Sequence, residues 1–317
     1  MPRTIVWQAR LAGAGRTHGA LAALLVLVIG NALFTPHFAT PSNLLNILLQ
    51  VSPAALVGLG MTVVMATAGV DLSVGSVMAV ASVVAALVIP QGTLAAVAAG
   101  LAVAGILGAV NGLLVARFRV EPFIVTLAML ITARGLAQVI SDGGQVTALE
   151  DPTFENLLGK GYVGPIPAPV LLAAVVLAGG AFLMRATVLG RYFLAVGGNR
   201  AAARLAGIHV EKTLFLAYLA SGLLAGLAGL IETARLGATD PSNIGAGMEF
   251  AAIAGAVIGG TPLNGGKARV FGTLIGILIL AVIGTAFNML LIPFAWTLIL
   301  QAGIILITVA WQRPRRA

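Results

Sequence analysis

Cysteine is absent from the 317 residues, which excludes disulfides, thiol nucleophiles and thiolate metal sites. Histidine is scarce: His18, His37 and His209 are the three, set far apart in loops or at the ends of apolar runs. That pattern argues against a metal site or a proton relay. Charge is the third shortage. Asp, Glu, Lys and Arg make up 9% of the chain and hydrophobic residues 59%, whereas soluble domains carry about a quarter charged residues. The chain is read as a polytopic membrane protein.

The charges are also missing in long blocks. Thr17 to Val70, Leu72 to Ala116 and Val270 to Gln312 contain no Asp, Glu, Lys or Arg, and each could cross a hydrocarbon core of roughly 30 Å twice. Polar or proline breaks divide each block, at "FTPHFATPSN", "IPQG" and "IPF". No period-2 barrel pattern is present, so helices are the way across. The pattern predicts an all-α integral membrane domain, residues 1–317, of about ten spans. They fall near 19–35, 43–69, 73–90, 93–115, 121–141, 165–184, 213–233, 246–260, 270–290 and 294–311. Arg3, Arg10 and Arg16 followed by "LAALLVLVIG" imitate a signal peptide, but the apolar run continues through "NALF" with no small-x-small cleavage site. An uncleaved first helix is expected.

Basic residues orient the set. With a cytoplasmic N-terminus, all 18 lysines and arginines except Arg134, Lys160 and Arg235 fall on the inner side or in the terminal segments, which predicts that both ends are cytoplasmic. The net charge of +8 then reports topology and not nucleic-acid binding. An external loop at 141–169 is acidic and rich in turn formers, long enough to pack as a small cap or meet a partner. The inner loop 185–212 contains "GGNRAAARLAGI". There Asn199 can cap a short helix from Arg200 to Ala206, and Gly207 suits its left-handed stop. Two turns need external support. Arg200 and Arg204 share a face, while Ala201, Ala202 and Leu205 form a shallow surface. Either the arginines only fix topology or the segment docks a cytoplasmic partner.

The energy source is constrained by what is missing. "TPLNGGKA" (261–268) resembles a phosphate loop but has Thr261 for the first glycine and Ala268 for the magnesium-binding hydroxyl, and it follows an apolar helix. No cofactor is expected on this chain. Ion coupling would call for ionisable groups inside the spans. Only Asp71, Arg134 and Glu249 qualify, with Glu232 and Asp240 just beyond a helix end, and none is paired by spacing with a histidine or a second acid. No nucleophile–base pair suggests a membrane enzyme.

Four motifs carry a resemblance: Gly60-Met61-Thr62 with "ATAGVDLSVGS", "PFIVTLAMLITARGLA" (122–137), "GGNRAAARLAGI" (197–208) and "AIAGAVIGGTPLNGG" (252–266). In this order and over nearly the whole chain they resemble permease subunits of bacterial ABC importers for ribose and related simple sugars. The resemblance implies an inner-membrane permease that dimerises with an identical or related permease and receives solute from a periplasmic binding protein. It also implies a separate cytoplasmic ATPase that holds ATP and magnesium, with Asn199, Arg200, Ala202, Arg204, Leu205 and Gly207 in the coupling helix. Two positions depart from the family pattern. Ala68-Gly69-Val70-Asp71 replaces Gly-Gly-Ile-Asp, and Ala251 stands where relatives tend to have a second acid after Glu249.

An internal echo aligns "VDLSVGSVM" (70–78) with "TDPSNIGAGM" (239–248): Asp71 with Asp240, Ser73 with Ser242, Gly75 with Gly245 and Met78 with Met248. On the predicted topology the two lie at opposite membrane surfaces, the relation expected of inverted repeats. Asp71 or Ser73 either caps the third helix or lines a solute passage or gate. Arg134 either snorkels outward or faces the dimer axis, and Glu249 poses the same choice. Four Gly-x-x-x-Gly pairs, at Gly108, Gly222, Gly255 and Gly272, predict close helix packing. Alternatives to the sugar importer are a permease for branched-chain amino acids or nucleosides, and an ion-coupled secondary carrier.

Overall fold

The computed structural model describes residues 3–149 and 151–312; Arg313, Arg315 and Arg316, part of the predicted inner charge, lie outside them. Among the described residues thirteen α-helices follow in order: α1 (Arg3–Phe34), α2 (Pro41–Ala66), α3 (Val74–Val88), α4 (Thr93–Ala116), α5 (Pro122–Ile140), α6 (Pro152–Glu155), α7 (Ala168–Ala186), α8 (Val188–Gly198), α9 (Arg200–Leu205), α10 (Val210–Leu236), α11 (Met248–Ile258), α12 (Val270–Met289) and α13 (Phe294–Gln312). Seven are long and apolar enough to cross a membrane: α2, α3 with its terminal 3-10 turn, α4, α5, α7, α10 and α12.

The eighth predicted span, 246–260, differs from expectation. It forms α11 of 11 residues, about 16 Å long and too short to cross roughly 30 Å alone. Glycine and proline explain the shortening. Gly245 and Gly247 take positive φ before the helix, and Gly260 and Pro262 end it. In contrast, α2 runs through Pro53 without interruption.

Helices α2, α3 and α10 form the inner layer, with residues from Val51 to Ala66 almost continuously buried. A bilayer supplies no hydrophobic drive between helices, so dispersion through close backbone approach holds such a layer together. The predicted glycine pairs provide it, and they pair with one another. A Cβ on Gly108 of α4 would stand 2.6 Å from the carbonyl oxygen of Tyr218 and 3.0 Å from Cα of Gly222 in α10. A Cβ on Gly276 of α12 would lie 2.1 Å from the carbonyl oxygen of Gly255 in α11. Hydroxyls add links, as between Thr62 of α2 and Thr273 of α12 at 2.7 Å.

The segment 141–169 packs against one end of the bundle as a small cap. β1 (Thr147–Ala148) pairs antiparallel with β4 (Ala238–Thr239), and β2 (Tyr162–Val163) with β3 (Ile166–Pro167). Phe154 and Leu158 are buried against Leu230 and Ala234 at the end of α10. Asp151 accepts from the N–H groups of Thr153 and Phe154 and from the Thr93 hydroxyl. The Phe154 N–H first, then the Thr93 hydroxyl, holds its pKa below the usual carboxylate value despite some desolvation.

Gly108→Val should destabilise the fold by about 1–3 kcal/mol through overpacking and so lower the melting temperature in detergent. Gly135→Ala, which meets nothing within 4 Å, should leave it unchanged or slightly higher, since alanine favours helix; differential scanning fluorimetry reads both.

Candidate functional site

Two unwound stretches meet inside the bundle. The first follows α2, whose last turn closes as Thr67 N–H and Ala68 N–H donate to Val64 and Met65 carbonyls. Asp71, 1% exposed, then takes three bonds. Its Oδ1 accepts from the Ser73 N–H at 3.1 Å and the Ser73 hydroxyl at 2.6 Å, and its Oδ2 from the Ser221 hydroxyl of α10 at 2.8 Å. Asn111 of α4 donates from Nδ2 to Ser73 Oγ at 2.9 Å. The carboxylate thus makes an Asx turn ahead of α3 and ties that turn to α10. Ser73 holds the N-cap position of α3 without a side-chain cap bond of its own. Buried and fully engaged, the pair acts as a strut.

Ser221 lies about 16 Å along α10 from Val210 at the rise of a helix, so this turn sits deep within the layer. The second stretch, between α10 and α11, has the same local chemistry. Asp240 Oδ1 accepts from the N–H groups of Ser242 and Asn243 at 3.1 Å each. Arg134 of α5 reaches the following residues: Nη1 donates to the Pro241 carbonyl at 2.7 Å and the Ile244 carbonyl at 2.9 Å. Arg134 is therefore a clamp on this loop. Glu249, in the first turn of α11, is 8% exposed, where a carboxylate complements the helix N-terminus.

The echoed motifs, expected at opposite surfaces, touch. A Cβ on Gly75 would stand 2.1 Å from the Gly245 carbonyl oxygen and 2.7 Å from Glu249 Oε2, and a Cβ on Gly245 2.3 Å from the Gly75 carbonyl oxygen. The structure brings Asp71 and Ser73 together, places Glu249 beside Gly75, and puts Arg134 on the opposite loop. Helix partners correspond as well: α10 packs on α4 and α3, while α2 packs on α12 and α11.

The short helix expected from Arg200 to Ala206 forms as α9, ending at Leu205 with Ala206 as its C-cap. Asn199 Oδ1 accepts from the Ala202 N–H at 3.0 Å and caps α9, and the Ile208 N–H donates to the Ala203 carbonyl at 3.0 Å. Gly207, at φ +80°, supplies the left-handed turn. Ala203 faces inward onto Val210 and Leu214 of α10. Arg204 is held by Glu211 at 2.5 Å. Ala201, Ala202 and Leu205 point outward, Leu205 at 91% exposure.

Residues 43–309 match the family described as branched-chain amino acid transport system / permease component. The chain belongs to this permease family. It is 43% identical over 293 residues to the ribose import permease of Escherichia coli K12, covering 91% of each chain. It is 38% identical over 304 residues to the ribose import permease of Bacillus subtilis, covering 94% of this chain and 93% of that one. A D-allose transport system permease of Escherichia coli K12 is 38% identical over 294 residues, 92% of this chain and 89% of that one. The permease is accordingly a multi-pass membrane protein of the ABC transporter type.

Sequence reasoning missed the residues that brace the turn 70–73. Ser221, Asn111 and Tyr218, whose hydroxyl reaches toward the Val70 carbonyl, are remote in sequence. A lone Asn inside the uncharged run 72–116 was the available signal.

Two outcomes test the struts. Asp71→Ala strands buried donors and should cost about 2–4 kcal/mol, lowering folded yield and transport together, whereas a residue that only lines a passage would lose transport alone. Arg134→Met should raise hydrogen exchange across 241–247 while the 71–73 amides keep their protection; unchanged protection at 241–247 would remove Arg134 from the clamp.

Proposed function

We propose that this chain is the translocating subunit of an ATP-driven sugar importer in the bacterial inner membrane. The observation that carries the reading is identity over nine-tenths of the chain to permeases named for ribose, together with one named for D-allose. The exposed Leu205 and the neighbouring Arg200 on the braced helix α9 support docking of a cytoplasmic ATPase, which holds ATP and magnesium. Solute arrives from a periplasmic binding protein and passes between two permease subunits, identical or related, whose opening alternates as the ATPases close. The permease makes no covalent change to its cargo.

The reading includes ten crossings with both termini cytoplasmic, α1, α11 and α13 adding to the seven long helices. It also includes an inverted repeat relating α2–α5 to α10–α13. The Gly75–Gly245 contact, the matching Asx turns and the corresponding helix partners favour that relation. In it, Asp71 and Ser73 position the inner turn, while Arg134 and Glu249 flank the junction that a solute would pass.

Leu205→Asp combined with Arg200→Glu should abolish retention of the ATPase during purification, yet leave the permease monodisperse, because both side chains are exposed. ATP-dependent uptake of labelled ribose into vesicles should fall in parallel. Uptake that persists without the ATPase and collapses with a protonophore at constant ATP would establish an ion-coupled carrier instead. Competition by unlabelled leucine or a nucleoside, but not by ribose, would transfer the assignment to those solutes.

A further inference from the structure

Two cavities join along one side of α10. The first, about 460 Å³, lies at the end of the bundle near α9 and is lined by Tyr192, His209, Lys212 and Thr213 together with Val188 and Leu189. The second, about 390 Å³, continues along the bundle between α2, α7 and α10, lined by apolar residues and by Gly179 and Gly180. Leu189 and Leu216 belong to both, so the two form one groove with a polar, cationic end and an apolar length.

Its dimensions and chemistry select an occupant. Lys212 to Leu223 spans about 16 Å of helix, close to half of a hydrocarbon core of roughly 30 Å. A helix from another subunit would use the full thickness; one acyl chain uses a single leaflet. At the polar end Lys212 supplies a positive charge. Val188 and Leu189 are the first two residues of the 11-residue helix α8, positions whose N–H groups have no intrahelical acceptor and which favour an anion. Tyr192 suits the membrane–water boundary. Along the apolar length Gly179 leaves the groove open, since a Cβ there would meet nothing within 4 Å.

We propose that this groove is a binding site for one anionic phospholipid, its phosphate between Lys212 and the start of α8 and an acyl chain along Leu216, Leu219 and Gly179. The site depends on the chain lying in a bilayer and is independent of which solute it carries. It places a lipid against the base of α10, beside the segment that braces α9.

Native mass spectrometry of the purified permease, exchanged into detergent with dioleoylphosphatidylglycerol or dioleoylphosphatidylcholine, tests the site. Wild type should retain the anionic lipid about fivefold better, the contribution of one lysine near an anionic phosphate. Lys212→Gln should reduce that retention to the phosphatidylcholine level, with Lys160→Gln as an unaffected control. Gly179→Leu should lower retention of both lipids. Equal retention of the two by wild type, or no change on Lys212→Gln, would overturn the proposal. A photo-reactive amino acid at position 179 separates occupants even if a variant folds poorly: an adduct to phospholipid supports the site, and an adduct to a second polypeptide overturns it.

Discussion

Unwound backbone inside hydrocarbon must find all of its hydrogen bonds within the protein, and two side chains of opposite charge meet that requirement here. Asp71, an acceptor, takes the amide and hydroxyl of Ser73 and the hydroxyl of Ser221. Arg134, a donor, takes the carbonyls of Pro241 and Ile244. Each matches the polarity of the backbone groups its stretch leaves open. With both stretches held, Gly75 and Gly245 can approach to a separation that excludes any side chain. The charges scarce in this chain are thus placed where helix geometry lapses.

This arrangement links α9 physically to the Asp71 turn. Ala203 of α9 packs on Val210 and Leu214 at the start of α10. About 10 Å further along the same helix, Ser221 bonds Asp71. The contact surface of α9 and the partner of Asp71 thus lie on one continuous helix, and the Asp71 turn meets the loop held by Arg134 where Gly75 touches Gly245. Small-residue contacts make this connection stiff because backbones meet without flexible side chains between them.

Local and periodic features were legible in the sequence. The uncharged runs marked the long helices, the glycine pairs marked their contacts, and Asn199 and Gly207 marked both ends of α9, because caps and stops depend on residues a few positions apart. The length of α11 was less legible: its apolar run continues past Ile258 to Gly260, and hydropathy does not register where the backbone turns. The partners of Asp71 were invisible for another reason. Ser221 is 150 residues away, and one serine in an apolar helix has no periodic signature. The echo between 70–78 and 239–248 was visible as residues, while its meaning as a contact needed the helices on either side to be placed.

The segment "TPLNGGKA" shows how the same residue types serve a different end. Its glycines resemble a phosphate cradle, yet they answer a crowding problem. A Cβ on Gly265 would lie 2.8 Å from both the Ala68 amide nitrogen and the Gly197 carbonyl oxygen, and the Gly266 N–H donates to the Ala66 carbonyl at 3.0 Å. Thr261, where a phosphate loop would begin with glycine, accepts the Arg269 N–H through its hydroxyl at 3.1 Å. The loop fastens the end of α2 to the end of α8, one residue before the cap of α9. The N–H groups of Gly265 and Gly266 are committed to the protein's own carbonyls. The same turn that resembles a nucleotide site thereby ties the segment leading into α9 to the inner layer from a second side, complementing the contact through α10.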